Sequence, residues 1–262
     1  MAGDTVSIIQ DIFNCYPRVS PIRKGFQVGA CVHGDLSPER FHVLKESGFD
    51  YIAVDYVSPE WNSMQWNTAS EAGLGLISQP EHFSGKQNLD ADYLQTVNEP
   101  GSGRFWDNGP QELVKTYADA WYARDGRPII GGNLSWLSSQ KPEWWIKQLW
   151  DYGANGFMTH IGLHAYEGGP SGVLKRVDEM KKAWRRVGFR QPFWVTEFGW
   201  NDISDEKQAR WTTYVLSKLS RMPDVVGASI YELRCNGKYQ FGLFREDGTP
   251  RPVLARIKEA RS

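Results

Sequence analysis

The chain has 262 residues, with 30 Lys and Arg against 31 Asp and Glu and a net charge of −1. No basic field is present to draw nucleic acid or an anionic membrane surface. No apolar run approaches the roughly 20 residues of a membrane-crossing helix, and the Met1–Thr5 start shows no basic stretch leading into an apolar one, so no signal peptide is visible.

Residues 1–24 read as a lead-in segment and residues 25–262 as one folded unit. A strand-then-helix rhythm recurs through that unit. The first strand is 25–33, and its helix opens at Ser37-Pro38-Glu39 with a capping hydroxyl, a first-turn proline and an acid. Strand two spans 51–56, and a helix through 65–71 ends at Gly73. Strand three is 74–78. The next crossover holds only a polar stretch near 85–90, too short for a full helix, so a degenerate turn is expected there.

Strand four (93–97) leads into Asn98-Glu99-Pro100, and a helix over 111–124 carries Leu113, Tyr117 and Trp121 on one face. Strand five (128–133) precedes a helix from Pro142, and strand six is read over 156–164. Val173, Val177, Met180, Trp184 and Val187 recur at helical spacing in the next helix. Strand seven (192–196) delivers Glu197, Ser204 caps a helix to Leu219, strand eight covers 225–231, and a last helix covers 252–260.

Apolar strands alternating with helices imply a parallel sheet covered by helices. Eight such units, at about the 250 residues of a typical example, predict a closed α/β (β/α)8 TIM barrel rather than an open sheet. No Gly-rich phosphate loop follows the first strand, which also argues against the open, dinucleotide-binding alternative.

In that register Glu99 and Glu197 each end a strand, where barrel enzymes keep their chemistry. They stand 98 residues apart, or three strand–helix units. Strands three apart face each other across the mouth, so both carboxylates can enter one cleft. Two converging carboxylates are the minimum equipment for cleaving a glycosidic bond.

Other strand ends supply candidate substrate-binding groups: His33 and Asp35, Asp55 and Tyr56, Gln79, Glu81 and His82, Asn133, and Glu232. His164 and Tyr166 lie two apart and share a face if the strand continues between them. With 12 Trp, 11 Tyr and 12 Phe the chain is rich in rings, which serve cores and sugar platforms equally well. Trp121, Trp145, Trp184 and Trp211 fall on helices and read as packing. Trp61, Trp106, Trp136 and Trp200 follow strand ends and read as platforms, with Trp106 and Trp200 foremost.

No acid or second histidine has ligand spacing around His164, so no metal is expected there. The strand ends show neither a Schiff-base lysine nor a metal cluster, and no cofactor is expected. Cys15, Cys31 and Cys235 are scattered and odd in number, and read as buried free thiols.

Asn98-Glu99-Pro100 on strand four, with Thr196-Glu197-Phe198-Gly199 on strand seven, resembles clan A of the glycoside hydrolases. Families 5, 39 and 128 are examples. The likeness runs from about Phe26 to Ala260, and the 241–252 segment is similar to the last loop before the final helix of such enzymes.

The resemblance implies retaining hydrolysis, with Glu99 as general acid/base, Glu197 as nucleophile and Asn98 on the sugar 2-hydroxyl. His164-Ala165-Tyr166 matches a His-x-Tyr of the clan, with Tyr166 holding Glu197. Two positions depart from the clan: many members carry Arg near the end of strand two, here Val54-Asp55-Tyr56, and several carry Trp where this chain has Tyr231. The expected partner is a polysaccharide or oligosaccharide, taken by a monomer in a cleft left open by the short third crossover. A β-1,3- or β-1,4-glucan comes first, ahead of mannan, xylan or a microbial exopolysaccharide. The reading from another class is a catalytically silent carbohydrate-binding barrel.

Overall fold

The computed structural model describes residues 20–34, 37–55, 58–79, 90–100, 108–134, 142–235 and 240–262. Eight strands pair in sequence order and close into a barrel: β1 (Gln27–Val32), β2 (Tyr51–Asp55), β3 (Gly75–Gln79), β4 (Tyr93–Gln95), β5 (Ile129–Leu134), β6 (His160–His164), β7 (Phe193–Phe198) and β8 (Val225–Ile230). All neighbouring pairs are parallel, including the closing β1–β8 pair. Seven helices surround it among the described residues: α1 (Pro38–Glu46), α2 (Pro59–Glu71), α3 (Gly109–Ala123), α4 (Pro142–Asp151), α5 (Pro170–Val187), α6 (Asp205–Leu219) and α7 (Val253–Arg261). None is long and apolar enough to cross a membrane.

Helix starts follow local chemistry. The hydroxyls of Ser37, Ser58 and Ser204 accept the N–H groups of Arg40, Trp61 and Lys207, each satisfying a donor the helix cannot use. The Ser58 cap and Pro59 start α2 at Pro59, ahead of the expected 65. Trp61 therefore lies in the first turn of that helix, half-buried.

Strand six is also shorter than its apolar pattern suggests. Gly153 adopts φ 82°, a 3₁₀ turn occupies Ala154–Gly156, and pairing resumes at His160. Residues 85–89 of the expected turn and Cys15 lie outside the described residues. Cys31 and Cys235 are buried free thiols.

Alternation along each strand makes two cores. Val28, Ala30, Ile52, Val54, Leu76 and Val195 belong to the larger one, between barrel and helices. Trp145 and Trp184 are buried there, and Trp121 and Trp211 pack partly buried against it. Tyr51, Ala53, Ile77, Ile130 and Trp194 form the smaller cluster. Its large rings need small neighbours: a Cβ at Gly29 would stand 2.2 Å from the Tyr51 ring, and one at Gly227 would stand 2.7 Å from that of Trp194.

The same alternation sends Asp55 to the face of Tyr51 and Ala53. It sends His33 to the face of Gly29 and Cys31, and Tyr231 to that of Gly227 and Ser229. All three emerge at the C-terminal end of the barrel.

Candidate active site

Glu197 reaches the mouth through an irregularity at the end of β7. Leu163 pairs with Val195, but the next residue, His164, pairs with Glu197, so Thr196 is the extra residue of a bulge. Bulges re-aim side chains beside active sites, and this one sets Glu197 next to His164. The Ala165 amide donates to the Glu197 carbonyl at 2.8 Å and fixes the offset.

Glu99 arrives differently. Strand four was expected to run to Val97, but β4 ends at Gln95. Beyond it Val97 and Glu99 take φ of 57° and 41°, a region that a β-branched residue adopts only when its surroundings impose it. The imposing group is Asn133. Its Nδ2 donates to the carbonyls of Thr96 and Val97, both at 3.2 Å, and its Oδ1 accepts from the Thr196 hydroxyl at 3.2 Å. Asn133 is fully buried and itself has φ 46° at the β5 irregularity. It is therefore a strut joining the Glu99 and Glu197 segments, not the substrate group expected from its strand-end position.

One carboxylate oxygen of Glu99, one of Glu197 and an imidazole nitrogen of His164 all lie within 4.8 Å of one another. His164 Nδ1 is 3.1 Å from Glu99 Oε1 and 3.5 Å from Glu197 Oε2. The Tyr166 hydroxyl donates to Glu197 Oε2 at 2.7 Å. Burial alone would lower the His164 pKa, but the Glu197 charge and the Glu99 hydrogen bond and charge outweigh it and raise it. Burial and the Glu197 charge push the Tyr166 phenol well above its ordinary value, so it stays a donor. Asn98 Oδ1 and His164 Nε2 are buried with no hydrogen-bond partner.

A second cluster edges the mouth at β1, β2 and the β8 end. His33 Nδ1 is 2.5 Å from Asp55 Oδ2, and the His33 ring lies 5.3 Å from that of Tyr231. The peptide between Tyr231 and Glu232 is cis. Glu232 is 7% exposed; burial raises its pKa, His33 and Arg234 pull it down, and Glu197 and Asp55 add to the rise. Burial lowers the His33 pKa, and the Asp55 hydrogen bond and charge more than reverse this.

Sequence reasoning missed Phe241. Its ring packs edge-on to Tyr231 at 5.3 Å and Tyr166 at 6.2 Å, in the last loop. Cys31, a buried free thiol as expected, has its pKa raised by burial and by Glu197, Asp55 and Glu232. Trp200 does not form a platform: it is 5% exposed, edge-on to Trp211 at 5.3 Å, and part of the outer core. Gln79 is buried at the end of β3. Trp106, Trp136, Asp35, Tyr56, Glu81 and His82 lie outside the described residues. A separate cavity of about 480 Å³ is lined by Asp205, Cys235 and Arg251 and by none of these site residues. Its Arg251 is taken up by Asp205 and by the carbonyls of Gln240, Gly242 and Ile203.

A closed parallel barrel with two neighbouring carboxylates at its C-terminal mouth, one held by a tyrosine, defines a glycoside hydrolase with the clan A fold. The chain belongs to the glycosyl hydrolase catalytic core family, whose model matches residues 42–256. A comparison with curated proteins found no match.

Among solved structures, a family 128 (subgroup II) endo-β-1,3-glucanase from Sorangium cellulosum is similar over 89% of this chain and 98% of its own, at 16% identity and a TM-score of 0.71. A family 128 (subgroup I) endo-β-1,3-glucanase from Amycolatopsis mediterranei, in complex with laminaritriose, is similar over 90% of this chain and 100% of its own, at 15% identity and a TM-score of 0.65. A family 39 glycoside hydrolase from Bacteroides cellulosilyticus WH2 matches 90% of this chain at 19% identity and a TM-score of 0.67, and this chain spans 63% of its length.

Proposed function

We propose that this barrel is a retaining endo-β-glycosidase of a neutral polysaccharide, with a β-1,3-glucan first among substrates. The observation that carries the reading is the carboxylate pair, whose nearest oxygens approach within 4.8 Å. A nearest-oxygen approach of that order suits the about 5–5.5 Å separation of retaining enzymes.

In the first step a Glu197 carboxylate oxygen attacks the anomeric carbon. The bond to the glycosidic oxygen breaks, its electron pair goes to the leaving oxygen, and Glu99 gives that oxygen a proton. In the second step Glu99 takes a proton from water, the water oxygen attacks the anomeric carbon, and Glu197 leaves as carboxylate. The Tyr166 hydrogen bond suits an ionised nucleophile, because an O–H donor stabilises a carboxylate charge. The orphaned Asn98 Oδ1 suits a sugar hydroxyl donor, since a buried acceptor without a partner costs about 1–3 kcal/mol that a ligand can relieve. His33, Asp55, Tyr231 and Glu232 would line the adjoining subsite, with Trp106 and Trp136 as platform candidates.

The glucan preference rests on the two endo-β-1,3-glucanases that share the fold along nearly their whole length. Incubation with a panel of defined polysaccharides, followed by sizing of the products, tests it. A ladder of oligosaccharides from β-1,3-glucan is the expected result. Cleavage of galactan, mannan or xylan alone would move the substrate, and bound but uncut glycan throughout would indicate a silent binding barrel.

A further inference from the structure

We propose that Glu99, His164 and Glu197 form a site for one transition-metal dication of the zinc and copper class, whose binding switches the barrel off. The inhibitory consequence rests on the catalytic reading above; the binding itself does not. Spacing along the chain argues against a metal at His164, because no ligand lies near it in sequence. The fold supplies two ligands, Glu197 from β7 and Glu99 from the segment after β4, which local spacing cannot reveal.

The donor geometry carries the proposal. A tetrahedral zinc site with bonds of about 2.0–2.2 Å places its donors about 3.3–3.5 Å apart. Here His164 Nδ1 stands 3.1 and 3.5 Å from the two carboxylate oxygens, and the third pair lies within 4.8 Å. One imidazole and two carboxylates give three protein donors, leaving the fourth position open to water. The mixed nitrogen–oxygen set suits zinc and copper. It does not suit calcium, which takes six to eight oxygens, or magnesium, which demands an oxygen octahedron.

The outer shell is half built. Tyr166 holds the Glu197 oxygen at 2.7 Å, as outer-shell donors do for ligating carboxylates, but His164 Nε2 has no partner to fix its ring. A missing outer-shell partner typically costs 10–100-fold in affinity. The ion would therefore be a dissociable inhibitor rather than a resident cofactor.

The test is calorimetric titration of the whole chain with zinc sulfate, with hydrolysis followed separately. The expected result is one zinc per chain, competitive inhibition reversed by chelator, and no comparable effect of magnesium or calcium. His164→Gln and, on the half-buried Glu99, Glu99→Gln should each weaken binding by about tenfold or more. His33→Gln, which removes the other mouth histidine among the described residues, should leave zinc binding unchanged. Undiminished zinc affinity in both His164→Gln and Glu99→Gln, loss in His33→Gln instead, or equal affinity for magnesium would overturn the site. Zinc binding as expected in a chain that cuts no glycan would leave this site standing and overturn the catalytic reading instead.

Discussion

The barrel holds two polar, aromatic layers one above the other, and they treat their hydrogen bonds in opposite ways. In the lower layer the Trp194 indole donates to the Tyr51 hydroxyl at 2.6 Å, and that hydroxyl meets Ser229 at 2.9 Å. Tyr93, His160 and Tyr51 pack edge-on around Trp194 at 5.0–5.8 Å. Its polar atoms close on one another. At the mouth, His164 Nε2 and Asn98 Oδ1 are buried without partners, and Glu99 and Glu197 share one imidazole nitrogen. A polar layer that satisfies itself specifies structure, while one that leaves atoms open is built for a ligand. Substitutions should separate the two layers, the mouth losing activity and the lower layer losing stability.

The largest effect falls on Glu197, the proposed nucleophile. Glu197→Ala should lower kcat by on the order of 10⁴-fold or more with no loss of melting temperature. Azide should rescue turnover and yield an α-glycosyl azide; an active Glu197→Ala protein would remove Glu197 from the mechanism. Glu99→Ala should cost about 10²–10⁴-fold on polysaccharide but far less on aryl glycosides with good leaving groups. Equal losses on both substrates would deny Glu99 the acid role. Tyr166→Phe deletes a charge-assisted hydrogen bond worth about 1.5–3 kcal/mol, so kcat/KM should fall roughly 10- to 100-fold, measured beside an unchanged circular dichroism spectrum.

In the lower layer the balance reverses. Tyr51→Phe leaves the Trp194 N–H and the Ser229 hydroxyl without their shared partner, which should cost about 1–3 kcal/mol in denaturant unfolding and little in kcat/KM. A Tyr51→Phe chain of full stability and reduced activity would invert the comparison.

The smallest effect belongs to Glu232. Its folded pKa is raised, so the fold prefers the neutral acid. Its contribution to stability is present below the ordinary carboxylate range, about 4.3, and is lost as pH rises through the raised value. Glu232→Gln removes that loss and should raise the melting temperature more at pH 8 than at pH 4. An equal shift at both values would show that the charge is not the cause.

The sequence made the barrel legible because an apolar strand followed by a helix recurs along the chain, with a hydroxyl cap or a glycine stop marking several of the boundaries. Ser37 and Ser204 cap where the sequence places them, while Ser58 starts its helix earlier than the apolar pattern indicates. The two glutamates were legible because each interrupts a β-forming run with a carboxylate. The route by which they meet was not. Asn133 looks like any strand-end amide, and only the fold shows it clamping Val97 in a positive-φ turn.

Trp200 misleads for a related reason. Its place after a strand says mouth, but Trp211, on a helix eleven residues on, covers it. Phe241 is legible only once the last loop folds back over Tyr166 and Tyr231.

The central claim is that Glu197 forms a covalent bond to the sugar while Glu99 handles the proton. Incubation with a 2-deoxy-2-fluoro β-glycoside bearing a good leaving group, followed by mass spectrometry of the digested protein, tests it most directly. One sugar per chain is expected, carried on the peptide containing Glu197 and absent from Glu197→Ala. A catalytically active chain that gathers no label, or carries it on another residue, would contradict it.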